Sequence, residues 1–326
     1  MNFLERALDK TNHFGKLVLV GIIFFVGNVI GSIPLFVVAV IKGIEKGEDA
    51  IYKFSETLDF TVLGISQNLG LLLMLLPLAV ALFACILFVK ILHKRTFSET
   101  VNGTKKVRWN HVFMGFGIWF LLASIYLLIS YFINPNNFTF QFDMATFLPL
   151  LLISVLLIPL QTTCEEFLFR GYLTQTVAAW TKSRWWAIII PGILFGFMHI
   201  RNPEILEYGL LETMPQYIIF GLIFGLVAVM DDGIELSMGM HAANNLFACL
   251  FLTFDASALS TPALFHQVEV FPIVDTIVLS AMGIVAIVFF ARKYKWDFRI
   301  MNKKVEPLPS IEIDVISQNQ SADFMQ

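Results

Sequence analysis

Charged residues are scarce in this chain of 326 residues: Asp, Glu, Lys and Arg together make up only 14% of it. Soluble domains carry about 25% charged residues. Hydrophobic residues make up 57% of the chain and include 33 phenylalanines. Because a soluble core of this size could not bury so much apolar surface, the solvent around much of the chain must be lipid. This composition excludes a secreted globular enzyme and a disordered chain.

An excess of positive charge and a cysteine pattern are also lacking. The net charge is −3, so the chain has no basic surface for nucleic acid. The three cysteines, Cys85, Cys164 and Cys249, stand inside apolar runs at no spacing typical of a disulfide framework or a zinc site. We interpret them as buried thiols. The N-terminal segment has no short apolar core followed by a small-residue cleavage site, so it is not a secretory signal peptide.

Eight apolar runs approach or exceed the length of about 20 residues that a transmembrane helix requires. They are 16–41, 68–92, 111–133, 146–178, 185–200, 216–231, 234–254 and 271–291. The sequence therefore predicts an all-α polytopic membrane protein with about eight transmembrane helices. The predicted organisation is three spans with an acidic outer loop in 1–145, a core of four spans in 146–255, a last span in 256–304 and a disordered cytoplasmic tail in 305–326.

The distribution of Lys and Arg predicts the orientation of the chain in the membrane. If the N-terminus is cytoplasmic, 17 of the 22 Lys and Arg residues fall on the cytoplasmic side and four on the outer side. The loops at 134–145 and 255–270 contain neither residue. Both termini are therefore predicted to be cytoplasmic. Asp231, Asp232 and Glu235 are interpreted as a solvated acidic turn on that side.

Ionisable side chains interrupt the apolar runs only in the second half of the chain. A charge at the centre of a transmembrane helix costs about 2.5–3.5 kcal/mol on insertion scales, so such residues are functional candidates. Glu166 and Arg170 are four residues apart, on one helix face, and are predicted to form a structural ion pair. Glu165 is rotated by about 100° from Glu166 and cannot share that face. It is left as an unpaired carboxylate that suits a general base.

Three polar residues on two later helices complete the candidate site. His241 and Asn245 are four residues apart and share a helix face, where they can stabilise an oxyanion or bind a metal or a substrate carbonyl. Asn244 points elsewhere and is expected to pack or to form an interhelical hydrogen bond. Glu165 and His199 are each 17 residues from Lys182, in the turn between their helices, and therefore lie level. We expect these groups to converge in a cavity in the cytoplasmic half or the middle of the bilayer.

The three blocks together resemble the CAAX protease and bacteriocin-processing (CPBP/Abi) family of intramembrane proteases. That family carries E-E-x-x-x-R, F-x-x-x-H and H-x-x-x-N on successive helices. The corresponding segments here are EEFLFR at 165–170, FGFMH at 195–199, beginning with Phe195, and HAANN at 241–245. The resemblance covers about 145–255. It implies that Glu165 activates a water molecule with help from His199, that His241 and Asn245 line the oxyanion site, and that Arg170 pairs with an acidic neighbour.

The requirement for a metal is left open by the sequence. The family is usually classed as metalloendopeptidases, and Glu165, His199 and His241 could supply a zinc site of two histidines and one carboxylate. The chain has no H-E-x-x-H motif. Asn245 is a poor zinc ligand and a good oxyanion donor, so we favour a mechanism without a metal over one with zinc.

The function predicted from these features is that of an intramembrane endopeptidase in a bacterial plasma membrane. Its partners would be the lipid bilayer and a membrane-associated peptide or protein, either a CAAX-type prenylated tail or a bacteriocin-type leader peptide. A proton-coupled transporter is one alternative, because intramembrane Glu and His also mark proton paths. The other is a non-catalytic immunity or scaffold protein, although such a protein would have no need for the unpaired Glu165.

Overall fold

A computed structural model describes residues 3–8 and 12–307, and residues 308–326 of the predicted disordered tail lie outside the described residues. The described part of the chain is helical apart from three short strands, which confirms the all-α class. The helices are α1 (Phe14–Gly31), α2 (Ile33–Lys46), α3 (Glu48–Thr57), α4 (Gln67–His93), α5 (Phe97–Asn102), α6 (Trp109–Ile133), α7 (Met144–Glu166), α8 (Thr174–Thr181), α9 (Arg184–Met198), α10 (Pro203–Tyr208), α11 (Leu210–Met230), α12 (Glu235–Leu250) and α13 (Pro272–Tyr294). The strands are β1 (Phe138–Phe140), β2 (Leu252–Thr253) and β3 (Phe265–Gln267).

Six helical segments in the described ranges are long and apolar enough to cross a membrane. They are α1, α4, α6, α11, α13 and the continuous segment Met144–Thr181 that contains α7 and α8. Large apolar side chains on the outside of the bundle are exposed, for example Phe132 at 79% and Leu211 at 84%. So large an exposed apolar surface fits lipid and not water. The protein is an integral membrane protein.

The predicted number of eight spans is not confirmed. The fifth and seventh predicted spans correspond to α9 and α12, which contain only 15 and 16 residues. The first predicted run, 16–41, is divided between α1 and α2, with Pro34 in the first turn of α2. Because proline has no amide hydrogen and its ring crowds the preceding turn, it interrupts the hydrogen bonding of a continuous helix. The acidic segment that follows contains α3.

The chain segments predicted to be cytoplasmic meet at one end of the bundle. We call this the terminal end, and it consists of residues 3–8, 94–108, 182–184, 231–234 and 298–305. Phe3 N donates to Asp232 Oδ1 at 2.9 Å, and Arg184 Nη1 donates to Lys303 O at 2.7 Å. Val305 N also donates to Lys182 O at 2.9 Å. Both ends of the described chain therefore lie on the same side of the bundle.

The opposite end, which we call the strand end, consists of residues 134–143, 199–209 and 251–271. Its small sheet has the strand order β1-β3-β2, with β1 and β3 antiparallel and β2 and β3 parallel. His266 of β3 pairs with Thr139 on one side and Thr253 on the other. The sheet therefore ties the segment before α7 to the segment after α12.

The acidic turn after α11 is buried, so its interpretation as a solvated turn was wrong. Arg108 Nη2 lies 2.5 Å from Glu235 Oε2 and 3.1 Å from Asp231 Oδ2. His111 Nδ1 lies 2.8 Å from Asp231 Oδ2, and Glu235 is completely buried. Burial raises the pKa of Asp231, although the hydrogen bond from His111 and the Arg108 charge oppose the rise. The network fixes the start of α12 against the start of α6.

Glycines bring the helices around the site into close contact. A Cβ atom added to Gly221 of α11 would overlap the carbonyl oxygen of Gly192 in α9. In the same way, a Cβ atom on Gly239 of α12 would overlap Val112 O of α6. Because these backbones touch, larger residues at the two contacts would force the helices apart.

Candidate active site

The motif EEFLFR lies where α7 changes its helical geometry. α7 ends at Glu166, and one π-helical turn, Phe167–Leu173, joins it to α8. The backbone N–H of Thr174 donates to Phe169 O, five residues back, and Thr174 Oγ1 donates to the same oxygen at 3.1 Å. π-Helical turns are rare and are frequently found at functional sites. No sequence pattern predicted this turn.

Glu166 and Arg170 form the ion pair that their spacing predicts. Arg170 Nη1 lies 2.8 Å from Glu166 Oε1, and both side chains are buried. The guanidinium also lies over the ring of Phe195, 4.0 Å from the ring centroid, which is a cation–π contact. Glu166 Oε1 accepts a second hydrogen bond from His241 Nδ1 at 2.8 Å, which the sequence did not predict. Glu166 therefore links α7, the π-helical turn and α12.

Glu165 has one satisfied oxygen and one without a partner in the described structure. Its Oε1 accepts from Gln161 Nε2 at 2.7 Å. Its Oε2 has no hydrogen-bond partner among the described residues and lies 3.4 Å from His241 Nε2. Gln161 Oε1 accepts from Asn245 Nδ2 at 3.0 Å, so Gln161 connects the carboxylate to the amide on α12. Sequence reasoning missed Gln161, although its position four residues before Glu165 places it on the same helix face.

His199 lies directly after the last residue of α9, and its tautomer is fixed by the backbone. Its Nδ1 is 2.8 Å from Phe195 O. Because a carbonyl oxygen can only accept, Nδ1 carries the hydrogen, and Nε2 of the neutral ring has a free lone pair. The ring stacks on Tyr217 of α11, with centroids 4.4 Å apart and an interplanar angle of 16°. Tyr217 is a second site residue that sequence reasoning missed.

Tyr217 is itself held by polar groups of the strand end. Its hydroxyl donates to Glu204 and accepts from Asn202 Nδ2 at 3.0 Å. Burial raises the pKa of Glu204, and the Tyr217 hydrogen bond opposes the rise. The position of the His199 ring therefore depends on α10 and α11 as well as on α9.

His241 and Asn245 face α7 from one side of α12, as their spacing predicts. The Nδ1 of His241 is engaged by Glu166, which directs Nε2 towards Glu165. Asn244, on a different face, accepts from Trp119 Nε1 at 3.2 Å. The interhelical hydrogen bond expected for Asn244 is thereby confirmed.

A single cavity of about 680 Å³ contains Glu165, His199, His241 and Asn245 on its wall. This volume is within the range of about 300–1,000 Å³ that is common for small-molecule sites. The cavity also reaches Phe254 and Leu259 in the loop at the strand end. The four residues predicted to converge therefore line one cavity. The cavity nevertheless extends towards the strand end and away from the segments predicted to be cytoplasmic.

The three predicted zinc ligands do not form a metal cluster in the described structure. No group of three or more His, Cys, Asp or Glu side chains in residues 3–8 and 12–307 is arranged to hold a metal ion. Glu165 and His241 are adjacent at 3.4 Å, while His199 is held by Phe195 O and the Tyr217 ring. The prediction of a zinc site is therefore supported only by the types of these three residues.

The comparison with known proteins agrees with the site. Residues 144–247 match the family model described as "Type II CAAX prenyl endopeptidase Rce1-like". This segment therefore matches a domain of the CAAX protease type, and the resemblance found in the three motifs is confirmed.

A curated relative extends the similarity beyond this domain. The chain is 36% identical over 168 residues to the uncharacterized protein YyaK of Bacillus subtilis (strain 168). The similarity covers 51% of this chain and 56% of that protein, so the chain spans a little over half of its relative. No solved structure matches the chain significantly.

Proposed function

We propose that the protein is an intramembrane endopeptidase that hydrolyses a peptide bond with a water molecule activated by Glu165. The observation that supports this most strongly is the buried Glu165 Oε2, which has no hydrogen-bond partner among the described residues. It belongs to a cavity that also contains His199, His241 and Asn245. Glu166 Oε2 also has no hydrogen-bond partner among the described residues, but Glu166 does not line the cavity, so of these two neighbours only Glu165 can meet a substrate there.

In the first step, Glu165 and His199 remove a proton from water. The atoms that receive it in this proposal are the unpartnered Oε2 of Glu165 and Nε2 of His199, whose lone pair is free. As the proton leaves, the water oxygen attacks the carbonyl carbon of the scissile peptide bond and forms a tetrahedral intermediate. General-base assistance of this kind contributes about 10²–10⁴-fold to the rate.

The negative charge of the intermediate develops on the former carbonyl oxygen. His241 and Asn245 are the donors for it: His241 donates from Nε2 when both ring nitrogens carry hydrogen, and Asn245 Nδ2 has a second hydrogen besides the one given to Gln161. Glu166 accepts from His241 Nδ1 and so directs Nε2 towards the oxyanion. Gln161 keeps Asn245 and Glu165 in a constant relative position.

In the last step the carbon–nitrogen bond breaks. The proton taken from water passes to the leaving nitrogen, so the products are a new carboxylate and a new amine. The acid that delivers this proton is the group that received it, Glu165 or His199. One water molecule is consumed, and the reaction requires no oxidant and no further reactant.

We favour the version without a metal for two reasons that concern the protein groups themselves. Asn245 is a donor and a poor metal ligand, and its place beside Glu165 suits an oxyanion. The second reason is that His199 is oriented by Phe195 O and Tyr217 separately from the Glu165–His241 pair. If zinc were bound, Glu165, His199 and His241 would be its ligands, and Glu166 would orient His241 as an outer carboxylate.

The proposed substrate is a peptide or protein associated with a bacterial plasma membrane, of the CAAX-tail or bacteriocin-leader type. Phe25 of α1 and Met198 of α9 line the cavity and are exposed, at 67% and 57%. They provide apolar surface at the lipid-facing edge of the cavity, which can hold an apolar segment of a substrate.

Peptidomics of membranes tests the proposal and identifies the substrate in one experiment. Membranes that contain the unmodified protein are compared with membranes that contain the Glu165→Ala variant at equal abundance. We expect peptides with new termini only with the unmodified protein. Identical peptide sets would reject the proposal. A proton flux in proteoliposomes that is lost in Glu165→Gln, without any cleavage, would favour the transporter.

A further inference from the structure

The cavity wall is drawn from one half of the bundle. Tyr126 of α6 and Leu279 of α13 line it, and both belong to the halves of their helices nearest the strand end. The loop at 252–259 contributes several further wall residues. In the described part of the chain, no wall residue comes from 94–110, 182–190 or 231–238. The cavity is therefore connected to the strand end.

The terminal end is closed below the site. A cluster of buried apolar residues fills it, with contributions from the N-terminal segment, α8, α9, α11, α12 and the segment after α13. Phe3, Ala178 and Ile234 in this cluster are completely buried. The network of Arg108, Asp231 and Glu235 adds an ionic layer to the apolar one. A peptide could reach Glu165 from this end only if the packed core opened.

The charge distribution indicates which side of the membrane each end faces. Eleven of the 22 Lys and Arg residues belong to the segments of the terminal end, whereas the segments of the strand end contain one, Arg201. Because positive residues are retained in the cytoplasm, the strand end faces outward.

We infer that the peptide substrate reaches Glu165 from the outer side of the membrane, through the opening between the 252–259 loop and the ends of α10 and α13. The inference rests on the proposed endopeptidase function and specifies its substrate class. The substrate is a polypeptide segment that has already been translocated, such as an exported peptide or an outward-facing end of a membrane protein. A prenylated tail in the cytoplasm would face the closed end.

The charges on the cavity wall add a preference within this class. Glu204 and Asp275 line the passage between the opening and Glu165. Each is hydrogen-bonded to a tyrosine, Tyr217 and Tyr126, and no Lys or Arg lines the cavity among the described residues. A segment that carries Lys or Arg beside its apolar stretch is therefore the better match, because its charge complements these carboxylates.

Single cysteines at the two ends test the route. Ala258 lies on the cavity wall in the loop at the strand end, and Lys105 is exposed at the terminal end. The full chain is purified as Ala258→Cys or Lys105→Cys and treated with a bulky polyethylene-glycol maleimide. The native Cys85, Cys164 and Cys249 are buried and do not react in the folded protein. Cleavage is measured with quenched-fluorescent peptides that have an apolar stretch next to either Lys or Glu.

We expect the modified Ala258→Cys protein to lose cleavage and the modified Lys105→Cys protein to retain it, with the Lys peptides cleaved faster. Loss in modified Lys105→Cys alone would overturn the route, and faster cleavage of the Glu peptides would overturn the charge preference. In intact cells, a membrane-impermeant maleimide should label Ala258→Cys and not Lys105→Cys, and the reverse would overturn the outward orientation. If the untreated protein cleaves no peptide, the proposed function fails, while the labelling still decides which side the cavity faces.

Discussion

Glu165 and Glu166 are neighbours in the chain, and the same substitution should have different effects at the two positions. At Glu165 it should lower the activity, and at Glu166 it should lower the stability. Glu165→Gln keeps an oxygen that accepts from Gln161 and removes only the basic carboxylate. Glu166→Gln keeps the shape of the side chain and removes the charge that compensates Arg170. The two variants therefore separate catalysis from stability with one chemical change at two adjacent positions.

The magnitudes follow from the contacts. Loss of a general base costs about 10²–10⁴ in rate, which at about 1.36 kcal/mol per factor of ten is roughly 2.7–5.5 kcal/mol of barrier. We expect Glu165→Gln to lose this much activity with little change in stability. Breaking a buried ion pair costs about 3–5 kcal/mol, and we expect Glu166→Gln near the lower limit because the amide oxygen still accepts a hydrogen bond.

Two measurements decide the comparison. The cleavage rate is measured with the peptides described above, and thermal unfolding in detergent is followed with a thiol-reactive dye. Cys85, Cys164 and Cys249 are buried, so the dye reports when the core opens. Glu165→Gln should unfold at the same temperature as the unmodified protein, and Glu166→Gln should unfold at a lower temperature. Unchanged activity in Glu165→Gln, or equal destabilisation of both variants, would refute the assignment of the two carboxylates.

Four further predictions concern the rest of the site and its support. Asn245→Ala should lower kcat by about 10²–10³-fold without a comparable change in KM, because removal of one oxyanion donor has this effect. Tyr217→Phe should retain most of the activity since the ring still stacks on His199, whereas Tyr217→Leu should reduce it. Gly239→Ala should lower the free energy of unfolding by about 1–3 kcal/mol through overpacking against α6. Activity of the purified protein should survive a zinc chelator.

Each of these has a result that contradicts it. An Asn245→Ala effect confined to KM would place the amide in substrate binding. Equal activity of the Phe and Leu variants at Tyr217 would remove the stacked ring from the mechanism. Gly117→Ala is the control for Gly239→Ala because its added Cβ has no neighbour within 4 Å, and equal effects would deny the contact between α6 and α12. Stoichiometric zinc that is lost together with activity would establish a metal mechanism.

The fold was predictable where one residue type dominates. The apolar runs located nearly every long helix, and hydrophobicity alone decides whether a helix is stable in lipid. The division of the first run at Pro34 and the shortness of α9 and α12 could not be predicted from these runs. Run length does not show where a helix is broken or covered by its neighbours. The buried turn at Asp231 was misjudged because its partner, Arg108, is distant in the sequence.

Some features of the candidate site were likewise predictable from the sequence, and others were not. The spacing of Glu166 and Arg170 predicted their ion pair, and that of His241 and Asn245 predicted their shared face, because both depend only on the helical repeat. Gln161, Tyr217 and the π-helical turn were not predicted. The first two act through partners on other helices, and the turn depends on how α7 and α8 pack.

By itself, the sequence determined that the protein lies in a membrane, and it predicted which side the positive loops occupy and which few polar residues carry the chemistry. These properties depend on composition and on local periodicity. Only the tertiary structure decided that Glu166 holds both Arg170 and His241, that Glu165 Oε2 has no partner among the described residues, and that the cavity is connected to the strand end. Such properties depend on which helix faces are packed together, and in a chain whose helices are almost uniformly apolar the packing is set by a few glycines and buried charges.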